Sequence, residues 1–209
     1  MRPNALRITM TPLLIYIHGF KSSPLSEKAQ EVRRYIESRQ LDINYQVPAL
    51  SDYPDESFLQ LTQLVEANLS ANPSAPIALI GSSMGGFMAT ALAERYPLKA
   101  VLVNPAVRPS ELIGSVLGIN ENPYTGHRFV LEQRHVEALR ALEAEAPGTP
   151  QNLLLMVQTG DETLDYRRAV DYYRGCAQVV EEGGDHRFQH FDRHLPAVFT
   201  FLGLQQAER

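Results

Sequence analysis

Ile77-Ala-Leu-Ile-Gly-Ser-Ser-Met-Gly-Gly-Phe-Met-Ala-Thr-Ala-Leu-Ala-Glu-Arg-Tyr96 is the stretch whose reading decides the fold. It begins as an apolar run, tightens through Gly81 to Gly86, and continues with helical spacing. That describes a buried strand, a sharp turn and a helix with a serine at the apex. A non-glycine residue at such an apex needs a strained backbone, and glycines two before and two after it remove the Cβ clashes. The pattern is G-x-S-x-G, in which Ser83 presents its Oγ above the strand end, beside the unpaired N–H groups of a helix N-terminus. Ser82 does not qualify, because Ser83 alone has glycine on both sides at that spacing. Gly and Ser are also ordinary turn residues. The flanking strand, Ile77 to Ile80, and helix, Phe87 to Tyr96, set this segment apart from a common strand-to-helix connection.

Working outward, Leu13 to Ile17 and Ala100 to Val103 are continuous apolar runs of the kind found in strands buried on both faces. So is Leu153 to Val157, and Ala177 to Val180 reads as a last short strand. A further short strand is expected over Ile43 to Val47. Between them lie helical patterns: one from Pro24 to about Arg39 with Leu25, Ala29, Val32 and Ile36 on one face, and one carrying Phe58, Leu61, Leu64, Val65 and Leu69. Asp165 to Tyr173 and about Phe191 to Leu204 complete the set. Strands alternating with helices at this spacing predict an α/β fold with a mostly parallel, doubly wound sheet. Ligands of such sheets sit at the carboxyl ends of the strands, where His18 to Phe20, Ser83 and Asn104 converge. Residues 108–148 differ in texture: a short helix over Ser110 to Leu117, turn formers from Gly118 to Gly126, and a helix over Phe129 to Glu145. This reads as a small cap insertion in a single domain spanning residues 10–205, with residues 1–9 as an N-terminal extension.

A serine hydroxyl needs a neighbouring base, and that base an orienting acid. In an α/β-hydrolase the chain order is serine, acid, histidine. Asp161 follows Gly160 just past one buried strand, and His186 follows Gly183-Gly184 just past the next. All three side chains therefore stand at one edge of one sheet. His186 is expected as general base, with Asp161 fixing its tautomer. The loop after the first strand, His18-Gly19-Phe20, supplies a second oxyanion-binding amide, so that the Phe20 and Met84 N–H groups share that role. His18 itself is expected to brace the loop. His190 and His194 fall in or near the last helix, His127 and His135 in the insertion, and nothing around them marks a base. Asp165 is expected on the helix, capping it or pairing with Arg168. Asp185 should point away from His186, and Glu162 is the weaker competitor for the acid.

At 209 residues the chain fills one domain well, and 44% apolar and 21% charged residues suit a soluble globular protein. A net charge of −5 gives no attraction to nucleic acid or anionic lipid; Arg33-Arg34 and Arg167-Arg168 are isolated pairs, not a stripe. Cys176 is the single cysteine, so no internal disulfide and no cysteine metal site is available, and a reducing cytoplasm is the expected compartment. Arg2 and Arg7 precede the first apolar run, but that run, Leu13 to Ile17, is shorter than the shortest signal-peptide core and no cleavage site follows. No stretch approaches the roughly 18 apolar residues of a membrane span. Neither H-E-x-x-H nor an Asp/His cluster of ligand spacing occurs, so no metal and no cofactor is expected.

The chain resembles the YqiA-type small bacterial esterase family of single-domain α/β-hydrolases. The likeness rests on HGFKSSP (18–24), GSSMGG (81–86), NPAVRP (104–109), NENPYTG (120–126), TGDETLDYR (159–167) and EGGDHRF (182–188), and spans about Met10 to Leu204. It implies hydrolysis of a small-molecule acyl ester, or of an acyl thioester, with the triad on Ser83, Asp161 and His186. The expectation is a serine esterase. An acyl-CoA thioesterase is the runner-up, requiring a cationic patch for which Lys21, Arg108 and Arg128 are candidates. A non-catalytic binding protein that kept the fold is the alternative of another class.

Overall fold

The computed structural model describes residues 11–205; the extension expected over residues 1–9 lies outside them. Six strands form one sheet: β1 (Leu13–Ile17), β2 (Asn44–Gln46), β3 (Ile77–Ser82), β4 (Lys99–Val103), β7 (Leu153–Gln158) and β8 (Ala177–Glu181). Their spatial order is β2-β1-β3-β4-β7-β8 and every neighbouring pair is parallel. The fold is that of a single-domain α/β-hydrolase. Such sheets are covered on both faces, and alternation along β1 shows how. Leu13, Ile15 and Ile17 pack with α2 (Pro54–Ala71), α3 (Met84–Arg95), α5 (Gln133–Arg140) and α6 (Tyr166–Tyr172). Leu14 and Tyr16 face the other way, against α1 (Glu27–Ser38) and α7 (Leu195–Leu202).

Helix α1 starts later than the apolar pattern suggests. The Ser26 N–H closes a turn on the Ser23 carbonyl at 3.1 Å, and the Leu25 N–H bonds the Ser23 hydroxyl. Leu25 is therefore not on the buried face of a helix but 77% exposed.

The insertion holds the largest departure. After the short helix α4 (Pro109–Gly114), β5 (Gly118–Glu121) and β6 (Arg128–Leu131) form an antiparallel hairpin of their own, with Ile119 opposite Val130. Helix was expected from Phe129 onward, but Phe129 and Leu131 are buried while Val130 faces out, a period of two. Helix α5 begins only at Gln133, where Glu132 and His135 form a reciprocal capping box.

Candidate active site

The carboxyl ends of β1, β3, β4, β7 and β8 deliver the site. Ser83 sits between β3 and α3 with φ 56° and ψ −123°, a backbone that side-chain-bearing residues rarely adopt. The glycines around it are required by space. A Cβ on Gly81 would run into the Gly85 carbonyl, and one on Gly85 into the Ile17 and His18 carbonyls at the end of β1. The loop after β1 approaches from the other side, where a Cβ on Gly19 would stand 3.2 Å from the Ser83 Cβ.

The three residues singled out as a triad are brought together in one hydrogen-bonded line. His186 Nε2 is 3.1 Å from Ser83 Oγ, and His186 Nδ1 is 2.8 and 3.0 Å from the two Asp161 oxygens. The Asp161 side chain is 2% exposed and that of His186 22% exposed. Asp161 Oδ1 also accepts the Thr163 and Leu164 N–H groups at 2.9 and 2.8 Å, so the carboxylate cannot swing away from the imidazole. Among the described residues no hydrogen-bond acceptor is found for the Phe20 or the Met84 N–H.

The competing residues are occupied elsewhere. Glu162 accepts the His186 backbone N–H at 3.0 Å and so holds the loop, not the ring. Asp165 caps α6 on the Arg167 N–H and pairs with the Arg167 guanidinium, which holds its carboxyl below the usual range; Arg168 pairs with Glu111 instead. Asp185 bonds the Arg187 N–H and the Gln189 amide within its own loop. His194 lies 3.0 Å from Glu181, and buried His135 accepts the Glu132 N–H. His18 Nε2 accepts the Leu50 N–H at 3.4 Å while Nδ1 lies 3.0 Å from the Gly19 carbonyl. That pair of partners fits only a neutral ring protonated on Nδ1. Burial favours the same state by pushing the His18 pKa down, against a smaller opposing effect of the Gly19 carbonyl.

Several supporting residues escaped the sequence reading. Asn104, with φ 41°, donates to the Asp185 and His186 carbonyls at 3.0 and 3.1 Å and accepts the Gln158 N–H at 3.0 Å. Its place at a strand end was legible, its bracing of the histidine loop was not. Gln158 adds a second brace, accepting the Asp185 and Gln189 N–H groups and donating to the Gln189 carbonyl. The hairpin tip is fastened by buried Asn122, whose amide donates to Asp52 Oδ1 at 2.7 Å and to the Ser22 carbonyl at 3.2 Å. His127 Nδ1 meets the other Asp52 oxygen at 2.8 Å. Phe129 of β6 lies edge-on to Phe20, tying the hairpin to the loop beside Ser83. A groove of about 360 Å³ opens over Ser83 and His186, with Tyr124 of the hairpin tip on its wall.

Among the described residues no group of three or more His, Cys, Asp and Glu side chains is placed to hold a metal ion, and no helix is long and apolar enough to cross a membrane.

Solved structures share this architecture at low identity. Est1E from Butyrivibrio proteoclasticus with ferulic acid bound is 18% identical, with a TM-score of 0.74 over 94% of this chain and 90% of that one. Alpha/beta hydrolase domain-containing protein 10 from mouse is 17% identical, with a TM-score of 0.67 over 92% and 89%. The esterase domain of a Rhodothermus marinus protein is 18% identical, with a TM-score of 0.62 over 95% and 87%. At that identity the likeness is one of fold. The sequence itself places the chain more closely: the model of the uncharacterised protein family UPF0227 matches residues 13–203, and the chain belongs to that family.

Proposed function

We propose that the protein is a serine esterase that hydrolyses carboxylic esters through an acyl-enzyme on Ser83. The observation that carries the reading is the unbroken line Ser83 Oγ, His186 Nε2, His186 Nδ1, Asp161, at 3.1 and 2.8 Å, beneath an open groove. Ser83 Oγ attacks the ester carbonyl carbon while His186 Nε2 takes its proton. The carbonyl oxygen gains negative charge and is met by the Phe20 and Met84 N–H groups. Collapse of this intermediate breaks the bond to the alcohol oxygen, which leaves with the proton from His186. Water then attacks the acyl carbon, gives one proton to His186, and Ser83 departs with that proton. The sum is ester plus water to acid plus alcohol. Asp161 stays ionised throughout and stabilises the imidazolium.

The hairpin and α5 serve in this reading as a cap, and the compartment is the cytoplasm, in keeping with the lone Cys176. Of the cations considered for coenzyme A, only Lys21 lines the groove; Arg128 lies outside it with Glu121 at 4.0 Å, and Arg108 is the left-handed cap of α4. An ester therefore takes precedence over an acyl-CoA thioester.

A fluorophosphonate probe and a panel of acyl esters and thioesters of graded chain length test the proposal together. Wild type should be labelled and Ser83→Ala should not. An unlabelled wild type that turns over no ester would sink the esterase reading and leave the non-catalytic alternative.

A further inference from the structure

The groove over Ser83 carries a charge opposite to that of the chain. Lys21, Lys28 and Arg187 line it, whereas the whole sequence is five charges negative and holds only three lysines. Among the described residues none of these three cations has a carboxylate within 4.0 Å. Glu27 is the single carboxylate in the lining.

The cations are not spread evenly about the reacting centre. Arg187 follows His186 directly, and Lys28 reaches across from α1 to donate to the Arg187 carbonyl. Both therefore flank the histidine loop, the side on which the departing alcohol oxygen must sit to collect its proton from His186 Nε2. The floor of that flank is polar too. Ser26 and Ser82 line it.

Resting on the esterase reading, we propose that Lys28 and Arg187 form a subsite for a small oxyanion, carboxylate or phosphate, carried on the alcohol half of the ester close to the scissile oxygen. Coenzyme A does not match, because its pantetheine arm holds the phosphates far from the thioester sulfur. Burial, with a smaller push from the Arg187 charge, lowers the Lys28 ammonium to about 8 against the opposing charges of Glu31, Glu27 and Asp185, so Lys28 contributes its charge below that value while Arg187 keeps its own throughout.

The test compares matched esters at about pH 7. One pair is 3-(carboxymethyl)phenyl butyrate and its methyl ester, which release phenols of similar acidity. The other is 2-(butyryloxy)ethyl phosphate and 2-hydroxyethyl butyrate, which separates phosphate from carboxylate. For at least one pair, wild type should favour the anion in kcat/KM by about tenfold, chiefly through KM, and less as NaCl rises from about 20 to 500 mM. Arg187→Gln and Lys28→Gln should each shrink the ratio, and Arg187→Glu should invert it. Turnover with no anionic preference, or a preference that survives Arg187→Glu, overturns the subsite while leaving the esterase standing. Binding of 3-hydroxyphenylacetate and of 2-hydroxyethyl phosphate to wild type, followed by calorimetry, separates the two readings. Binding of either, weakened in Arg187→Glu, without any turnover upholds the subsite and removes the esterase; neither binding nor turnover removes both.

Discussion

Replacing Asp161 by asparagine should cost about 10⁴-fold in ester turnover, and the structure dictates why. Oδ1 of Asp161 accepts two backbone N–H groups, from Thr163 and Leu164, at 2.9 and 2.8 Å. In Asp161→Asn that position must stay an oxygen, since an NH2 group there would face two donors. The amide nitrogen is thereby forced into the place of Oδ2, now 2.8 Å from His186 Nδ1. It donates to Nδ1, so the imidazole carries its proton on Nε2 and turns an N–H toward Ser83 Oγ. A ring in that tautomer cannot take the serine proton. The serine-protease triad loses about 10⁴ in kcat for the same exchange, equivalent to roughly 5.5 kcal/mol of transition-state stabilisation. Asp165→Asn is the control: asparagine caps helices as well as aspartate, and only an exposed pairing with Arg167 is lost. Its turnover should stay within about twofold of wild type. Initial rates on a nitrophenyl ester at about pH 8, with circular dichroism to show both variants folded, decide between them. A loss of less than about tenfold for folded Asp161→Asn would refute the tautomer argument; a larger loss for Asp165→Asn would move the acid onto the helix.

Ser83→Ala should abolish turnover with an unchanged melting temperature, while Ser82→Ala retains activity; the reverse pattern would reassign the nucleophile. Asn104→Ala removes two donors to the histidine loop and leaves the Gln158 N–H without its acceptor, about 3 kcal/mol at roughly 1 kcal/mol per bond, seen as a fall of about 6–12 °C in melting temperature. A shift under about 2 °C would mean the loop is held by Gln158 alone. Asn122→Ala leaves Asp52 Oδ1 without its donor and should quicken hydrogen exchange across Gly118–Leu131 while raising KM; unchanged exchange would show that Phe129 packing holds the hairpin unaided. Burial, with a smaller push from Glu94, raises the Cys176 thiol to about 11, so at about pH 8 only about 10⁻³ is thiolate. Alkylation there should run about 100-fold slower than for a free cysteine thiol, and rates within about threefold of the free thiol would contradict it.

What the sequence made legible follows from how each feature is encoded. Strands such as Leu13–Ile17 and Leu153–Gln158 are written as unbroken apolar runs because both faces of a parallel sheet are buried. Ser83 is written by its glycines, since the close approaches at Gly81 and Gly85 leave no room for a side chain. Asp161 and His186 are readable from the strand ends that precede them. The hairpin was missed because β5 begins at Gly118 and carries Asn120, residues that read as turn formers, and because β6 is only four residues long. Leu25 misled for a related reason: it continues an apolar spacing, but the Ser23 turn ends before the helix can start.

The supporting polar residues escaped for a deeper reason. The amides of Asn104, Gln158 and Asn122 reach partners 23 to 100 positions away in the chain, on loops whose approach only the folded sheet defines. A glutamine at the end of a strand has no local signature of such work. Yet each of the three is buried with its amide engaged on both the donor and the acceptor side. A buried amide satisfied in this way fixes the geometry of the loops it joins, since any shift breaks several bonds together. Asn104 and Gln158 lock the histidine loop to β4 and β7, and Asn122 locks the hairpin tip to the loops after β1 and β2. The two locks are independent of each other. Loosening the first should displace His186 from Ser83 and lower kcat, whereas loosening the second should move Tyr124 and the groove wall and act on KM.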